Sequence, residues 1–432
     1  MNDSGSISLR MMRFFIYGIL TITVVCCRYS SSRLSMEEMT IPFTAKESST
    51  PDLYVSPQGN IYLSWVSQLH DTSSLLYSKF ENNQWTKAKV AAVGNNWFVN
   101  WADYPSLVTF PSSEYSVLAH YLEMTDTTGD YHYGVKLALS RDGGDRFRII
   151  DSLHDTRPGE HGFVSMVPYS FDKILIAWLD GGNQAASMKE NSHHDAGMVH
   201  GGAAMQLKSA LVDFDGHILQ PILIDDRVCD CCQTDACMTP KGPILVYRNR
   251  SEDEIRDIYY TLFTDGHWTT PKAIHDDHWK INGCPVNGPA IAASGNRVAI
   301  VWYTEAGGAP SIKMVYSENA GDTFSEPILI PSRHTLARLD LVWKNDDHVL
   351  ISYLDKQAPD SESATIKLYQ YSIKDGRSNT YELDQVSSKR KSGIPKMENY
   401  KQSPSGESNL ILAYTLISDD GTRRIKSIKV KW

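Results

Sequence analysis

The sequence predicts an all-β fold, a β-propeller of four-stranded blades: seven blades closed by an N-terminal strand, with a six-bladed ring as the alternative. Three observations carry this expectation. A short apolar strand ending in an aromatic residue recurs seven times between positions 61 and 414. An alternating apolar–polar strand follows each copy, and in most copies a polar, Gly-rich or aromatic turn comes next. No stretch shows the 3.6-residue period of a long amphipathic helix.

In chain order, the recurring strands are Ile61–Trp65, Val117–Tyr121, Ile174–Trp178, Ile244–Tyr247, Val298–Trp302, Val349–Tyr353 and Leu410–Tyr414. The alternating strands after them are Leu75–Phe80, Val135–Ser140, Met205–Val212, Ile258–Phe263, Ile312–Ser317, Ile366–Ser372 and Arg424–Val430. Before most copies stands another short strand, such as Pro105–Phe110, Phe163–Val167, Pro289–Ala293 or Leu339–Trp343. The unit is therefore about four strands, repeating every 50 to 70 residues or so. The seventh unit reaches Trp432 before its fourth strand. Met39-Thr-Ile-Pro-Phe43, left over at the other end, is the expected substitute, because closing the ring this way removes exposed sheet edges.

Residues 1–35 read as a signal peptide or lipoprotein signal, leaving 36–432 as a single propeller domain. Arg10 and Arg13 precede an apolar run from Phe14 to Val25, too short and wrongly flanked for a membrane span. Cys26-Cys27 then follows as a possible lipidation site. The expectation is an exported bacterial protein, periplasmic, secreted or on the cell surface, that meets a membrane only through an N-terminal lipid anchor. The formal charge of −9 and the lack of a Lys/Arg stripe argue against nucleic acid as a partner.

In a propeller, the loops entering each innermost strand share one face with the loops joining second and third strands. The polar oddities of this chain fall in those loops: Asp103, Glu160-His161, Cys229-Asp-Cys-Cys232, Cys284, Arg338 and Ser392 in the first kind. The insertion bearing His193, His194 and His200 and the charged loop from Arg248 to Asp257 belong to the second. Asp103, Glu160 and His161 are candidate acids and bases, with inter-blade hydrogen bonding as the plain alternative. Arg248, Arg250, Arg256 and Arg338 are candidate grips for a carboxylate or sulfate, unless the first three simply pair with Glu252, Asp253, Glu254 and Asp257. Cys229, Cys231, Cys232 and Cys284, with His161 or His200, are candidate ligands of copper or zinc. Disulfide staples are the competing reading of the same cysteines, although bridging the neighbours Cys231 and Cys232 to each other is strained.

Two turns, Ser140-Arg-Asp142-Gly-Gly144-Asp-Arg146-Phe147 and Ser317-Glu-Asn319-Ala-Gly321-Asp-Thr323-Phe324, resemble the Asp box (BNR repeat) of the sialidase superfamily. The first departs from the pattern at Arg146, the second at Asn319. Arg227-Val-Cys-Asp-Cys-Cys-Gln-Thr234, the loop from Tyr247 to Asp257 and Gly283-Cys-Pro-Val-Asn-Gly-Pro289 resemble the exo-α-sialidase-like branch of secreted bacterial proteins. The resemblance implies a propeller that acts on, or binds, an anionic glycan or another small ligand at its central funnel. It also implies an arginine triad, in which Arg256 and Arg338 stand for two members, and a tyrosine–glutamate nucleophile pair, for which Tyr259 or Tyr303 with Glu254 or Glu305 are the candidates. The early Phe-Arg-Ile-Pro motif of true sialidases is absent. A metal-binding propeller and a non-catalytic surface module remain the alternatives.

Overall fold

The computed structural model describes residues 34–42, 47–125, 132–150, 153–154, 159–184, 204–401 and 408–432. They form seven antiparallel sheets. The second strands of the seven are Ile61–Leu69, Ser113–Met124, Lys173–Asp180, Gly242–Arg248, Arg297–Thr304, His348–Lys356 and Ser408–Ile417, one for each recurring apolar strand of the sequence. The innermost strands are Glu47–Val55, Ser106–Phe110, His161–Ser170, Asp235–Thr239, Ala290–Ser294, His334–Trp343 and Lys396–Lys401. The protein is a seven-bladed β-propeller; the six-bladed alternative is set aside.

The packing explains why an aromatic ends each repeat. Tyr121 joins a core cluster with Tyr62, Leu75 and Tyr77 of blade 1. Trp178 packs on Val108, Phe110 and Leu118 of blade 2, and Tyr247 on Ala177 and Leu179 of blade 3. Trp302 meets Ile244 and Val246 of blade 4; Tyr353 meets Val301 and Met314 of blade 5. Tyr414 packs on Leu350 and Ile366 of blade 6, and Trp65 on Ile411 and Ala413 of blade 7. Each aromatic is thus a wedge driven into the preceding blade, and all seven are buried. Burying so large an apolar surface is the main force holding twisted sheets face to face.

The ring closes through the two ends of the chain. Ser35–Met39 pairs antiparallel with Arg423–Lys431, in register from Ser35 opposite Lys431 to Met39 opposite Ser427. The closing strand is therefore the segment just before the expected Met39–Phe43. Pro42 lacks the N–H that an interior ladder position needs, and Ile41 instead enters the core between blades 7 and 1. Four of the five strand residues are exposed, which is why no apolar pattern advertised it. The leader expected over residues 1–35 lies almost wholly outside the described residues, and the closing strand begins at its last position.

The turns joining third to fourth strands lie on the face opposite the inner-strand entries. In the first, the Ser140 hydroxyl accepts from Gly144 N at 2.9 Å, and Asp142 Oδ1 accepts from Asp145 N and Arg146 N at 3.2 and 3.0 Å. In the second, Ser317 accepts from Gly321 N and Asn319 Oδ1 from Thr323 N, both at 3.0 Å. Phe147 and Phe324 then set their edges against Tyr77 and Tyr260 of the preceding blades. These turns are structural. The axial channel holds one lysine, Lys396, with Nζ 3.9 Å from both Asp52 Oδ1 and Asp340 Oδ1. Asp235 and Glu398 complete its buried acidic surroundings.

Candidate functional site

The site is built where the chain leaves the outer strand of blade 3, Ile218–Val228, and crosses inward to Asp235–Thr239. Cys229 N donates to Arg248 O at 3.0 Å, fixing the start of the crossing. A turn at Asp230–Cys231 then folds the segment back on itself. In an extended chain Cys231 and Cys232 point apart; the turn instead brings the Cys229, Cys231 and Cys232 sulfurs within 4.8 Å of one another. Cys229 and Cys232 Sγ stand 3.5 Å apart. Cys284, from the loop entering blade 5, reaches the Cys231 thiol as a fourth sulfur. All of these cysteines are free thiols. Hydrogen bonds from Cys231 and Cys232 hold the Cys229 thiol well below its usual range, with Arg256 and Arg248 adding to the effect. Burial pushes Cys231 and Cys232 up. Cys237 is separate: it sits on the inner strand of blade 4 against the core between blades 4 and 5.

The four arginines are buried and committed to internal partners. Arg256 Nη1 lies 3.3 Å from Cys229 Sγ, while its Nη2 donates to Glu254 at 2.7 Å. Arg250 grips the same Glu254 through Nε and Nη2, and Asp230 through Nη1 at 2.8 Å. Arg248 donates to the carbonyls of Arg256, Asn287 and Tyr303 at 2.7 to 2.8 Å and lies over the Trp279 ring. Arg338 donates to Ser392 Oγ at 2.6 Å and to the carbonyls of Lys389 and Ser388 at 3.1 Å, with Trp101 beneath its guanidinium. Arg248 and Arg338 therefore clamp neighbouring loops, and Arg338 also lines a small cavity with Tyr104, Gln233, Asn287 and Lys396. Of the acids proposed to pair with them, only Glu254 does so within the charged loop.

The acids gather on the blade 2–3 side of the same face. Asp103 is buried; its Oδ1 accepts from Phe163 N at 2.7 Å and its Oδ2 from the Tyr133 hydroxyl at 2.9 Å. Burial pushes it up to about 7 against the pull of those two donors. Glu160 pairs backbone to backbone with Tyr133, which brings it beside Asp103. Burial, then the carboxylates of Asp230 and Asp103, push Glu160 up to about 8. Its side chain is partly exposed, so of the two it is the acid a ligand can reach. A Cβ at Gly162 would stand 2.0 Å from Asp103 Oδ2, so only glycine lets the blade 3 strand pass this close. His161 is turned inward, with Nδ1 3.2 Å from Asp180 Oδ2 and its ring stacked on His154. Burial works to raise Asp180, but His161 and Lys208 outweigh it and hold the carboxyl well below its usual range.

Two residues beside the cysteines serve as scaffolding that the sequence does not signal. Gln233 donates to Ala102 O at 3.0 Å and accepts from Gly288 N at 2.8 Å, joining the loops that enter blades 2 and 5. Thr234 donates to Phe163 O at 2.8 Å and pairs with Ser165 at 2.7 Å in blade 3. Their partners are at least 55 residues away, so no local pattern announces them. Tyr303 donates to Glu305 as the nucleophile-pair candidates would, but at the rim of blade 5, against Trp279 and Arg248. Tyr259 instead packs beside Tyr247. His193, His194 and His200 lie outside the described residues.

No protein-family model matches the chain, and no curated protein matches it. Among solved structures it is similar to a protein of unknown function from Dyadobacter fermentans DSM 18053, at 12% identity and TM-score 0.49, over 92% of this chain and 99% of that one. An α-L-arabinofuranosidase from Fusarium graminearum aligns at 11% identity and TM-score 0.48, over 92% and 97%. The intramolecular trans-sialidase of Ruminococcus gnavus aligns at 11% and 0.44, over 89% and 94%. At these values the likenesses carry no argument about chemistry. Function has to be read from the side chains.

Proposed function

We propose that the upper face binds a glycan and that Glu160 is its proton donor. The observation that carries this reading is the carboxyl pair itself. Glu160, pushed up to about 8 and partly exposed, stays protonated at neutral pH beside Asp103, which is pushed up to about 7. A neutral carboxylic acid facing a cleft can hand a proton to a glycosidic oxygen, and glycosidases tune one member of a carboxyl pair this way. Asp230 is the neighbouring carboxyl; Met205 N at 3.0 Å and Arg250 at 2.8 Å favour its anion, while burial outweighs them and pushes it up.

Aromatic surface for a sugar ring is present in the loop that carries Asp103. Trp97, Phe98 and Trp101 are partly exposed, with Trp97 stacked on Tyr121 and Phe98 on Tyr133. The arginines, being internally paired, do not supply the grip expected for an anionic sugar.

The test is an array of sialylated, uronate-bearing and neutral glycans, followed by fluorogenic glycosides of whatever binds. Glu160→Gln is expected to keep ligand binding and to lower turnover by about 10²–10⁴-fold, the usual worth of a general acid. Wild-type turnover should fall as pH rises past about 8, where Glu160 loses its proton. A protein that binds no glycan and releases no sugar overturns the reading.

A further inference from the structure

We infer that Cys229, Cys231 and Cys232 form a binding site for one thiophilic d10 cation, Cu(I) foremost, with Cys284 as an optional fourth sulfur. The geometry comes first. Three sulfurs each about 2.3 Å from a single ion stand roughly 3.8–4.0 Å from one another, whether planar or tetrahedral. The three here lie within 4.8 Å of one another, with the closest pair at 3.5 Å, so one ion can bridge them after small side-chain adjustments. They come from four consecutive residues whose backbone is already fixed, by Cys229 N on Arg248 O at one end and by Gln233 on Ala102 and Gly288 at the other. The site is thus preorganised across blades rather than assembled by the ion.

The surroundings suit an anionic sulfur cage. Arg256 Nη1 reaches Cys229 Sγ at 3.3 Å, a charge-assisted contact of the kind that orients and tunes metal-bound thiolates. Glu254 holds Arg256 and Arg250 together, and Arg250 ties back to Asp230 between two of the cysteines. The guanidiniums thereby offset negative charge that three thiolates and a monovalent ion would leave buried. Soft sulfur ligands without an imidazole or carboxylate among them select Cu(I) and Zn(II) over harder ions. Three close, largely buried sulfurs favour Cu(I), since Cys284, which zinc would need for a tetrahedron, is exposed and touches only the Cys231 side of the cluster.

The experiment uses the purified, reduced protein under argon. It is titrated with Cu(I) against a chromophoric Cu(I) chelator and, separately, with Zn(II), and the bound metal's sulfur neighbours are counted by X-ray absorption. Thiols are counted before and after loading. One Cu(I) per chain with three sulfur neighbours is expected. Cys231→Ser, at the most accessible of the three, should weaken binding by more than the roughly 10–100-fold that loss of a supporting contact costs. Cys237→Ala should bind as wild type does. Tight Zn(II) with four sulfurs, lost in Cys284→Ser, also supports the site and makes zinc its occupant. A fully reduced protein that binds neither ion overturns the inference. So does a Cys229–Cys232 disulfide that persists under the reducing conditions, or undiminished metal affinity in folded Cys231→Ser and Cys232→Ser. None of these readouts involves glycan turnover.

Discussion

At the scale of single residues, the upper face is governed by what burial does to charge. Asp103 is the sharpest case, because its two hydrogen-bond donors do not offset its desolvation. A carboxyl raised in the folded state favours folding while protonated: that contribution is full below the unfolded value near 4 and is lost as pH rises through about 7. Asp103→Asn cannot ionise, and its Oδ1 can still accept from Phe163 N. Denaturant titrations at pH 5 and pH 9 should therefore show wild type losing on the order of 2–4 kcal/mol more than the variant between the two values. An equal pH dependence would mean that Asp103 is hydrated in solution. The arginines teach the complementary lesson. A sequence shows that Arg250 and Arg256 have Glu254 close by, and the structure agrees. It does not show that Arg248 would be threaded among three carbonyls, because Asn287 and Tyr303 lie 39 and 55 residues away.

At the scale of elements, the strand ending in an aromatic is the unit that made the fold legible. Its signal is strong because one packing task recurs seven times with the same solution. Trp302, fully buried against Ile244 and Val246, represents it. Trp302→Ala is expected to cost about 3–5 kcal/mol, read as a lowered denaturation midpoint, since the cavity opens between two sheets that cannot collapse independently. A loss under about 1 kcal/mol would mean that the blades repack around the gap. The closing strand, in contrast, is an outer edge with one buried residue in five, and edge strands leave little hydrophobic pattern to find. The cysteine loop was conspicuous by composition. What it does structurally was hidden, because Gln233 and Thr234 find their partners in blades 2, 3 and 5.

At the scale of the whole molecule, the propeller is a ring with one joint. Removing the closing strand by deleting residues 1–39 exposes the edge of Arg423–Lys431 and strips five residue pairs from blade 7. The expected outcome is a lower unfolding temperature with a broadened transition, and amide exchange that rises first in Arg423–Lys431. Unchanged melting and exchange would show that blade 7 stands without its fourth strand. The site on the upper face draws on the loops of blades 2 to 5, so an opened joint on blade 7 should reach it only after the ring itself loosens.

Ser35 faces Lys431, so the closing strand begins beside the point where the last strand of the ring ends. A force that draws Ser35 away from Trp432 meets the pairs one at a time from Ser35 towards Met39, as a zip does, rather than loading all five at once in shear. The mechanical strength of the ring between those two points is then set by the first of these pairs, however deeply its seven aromatic wedges are buried.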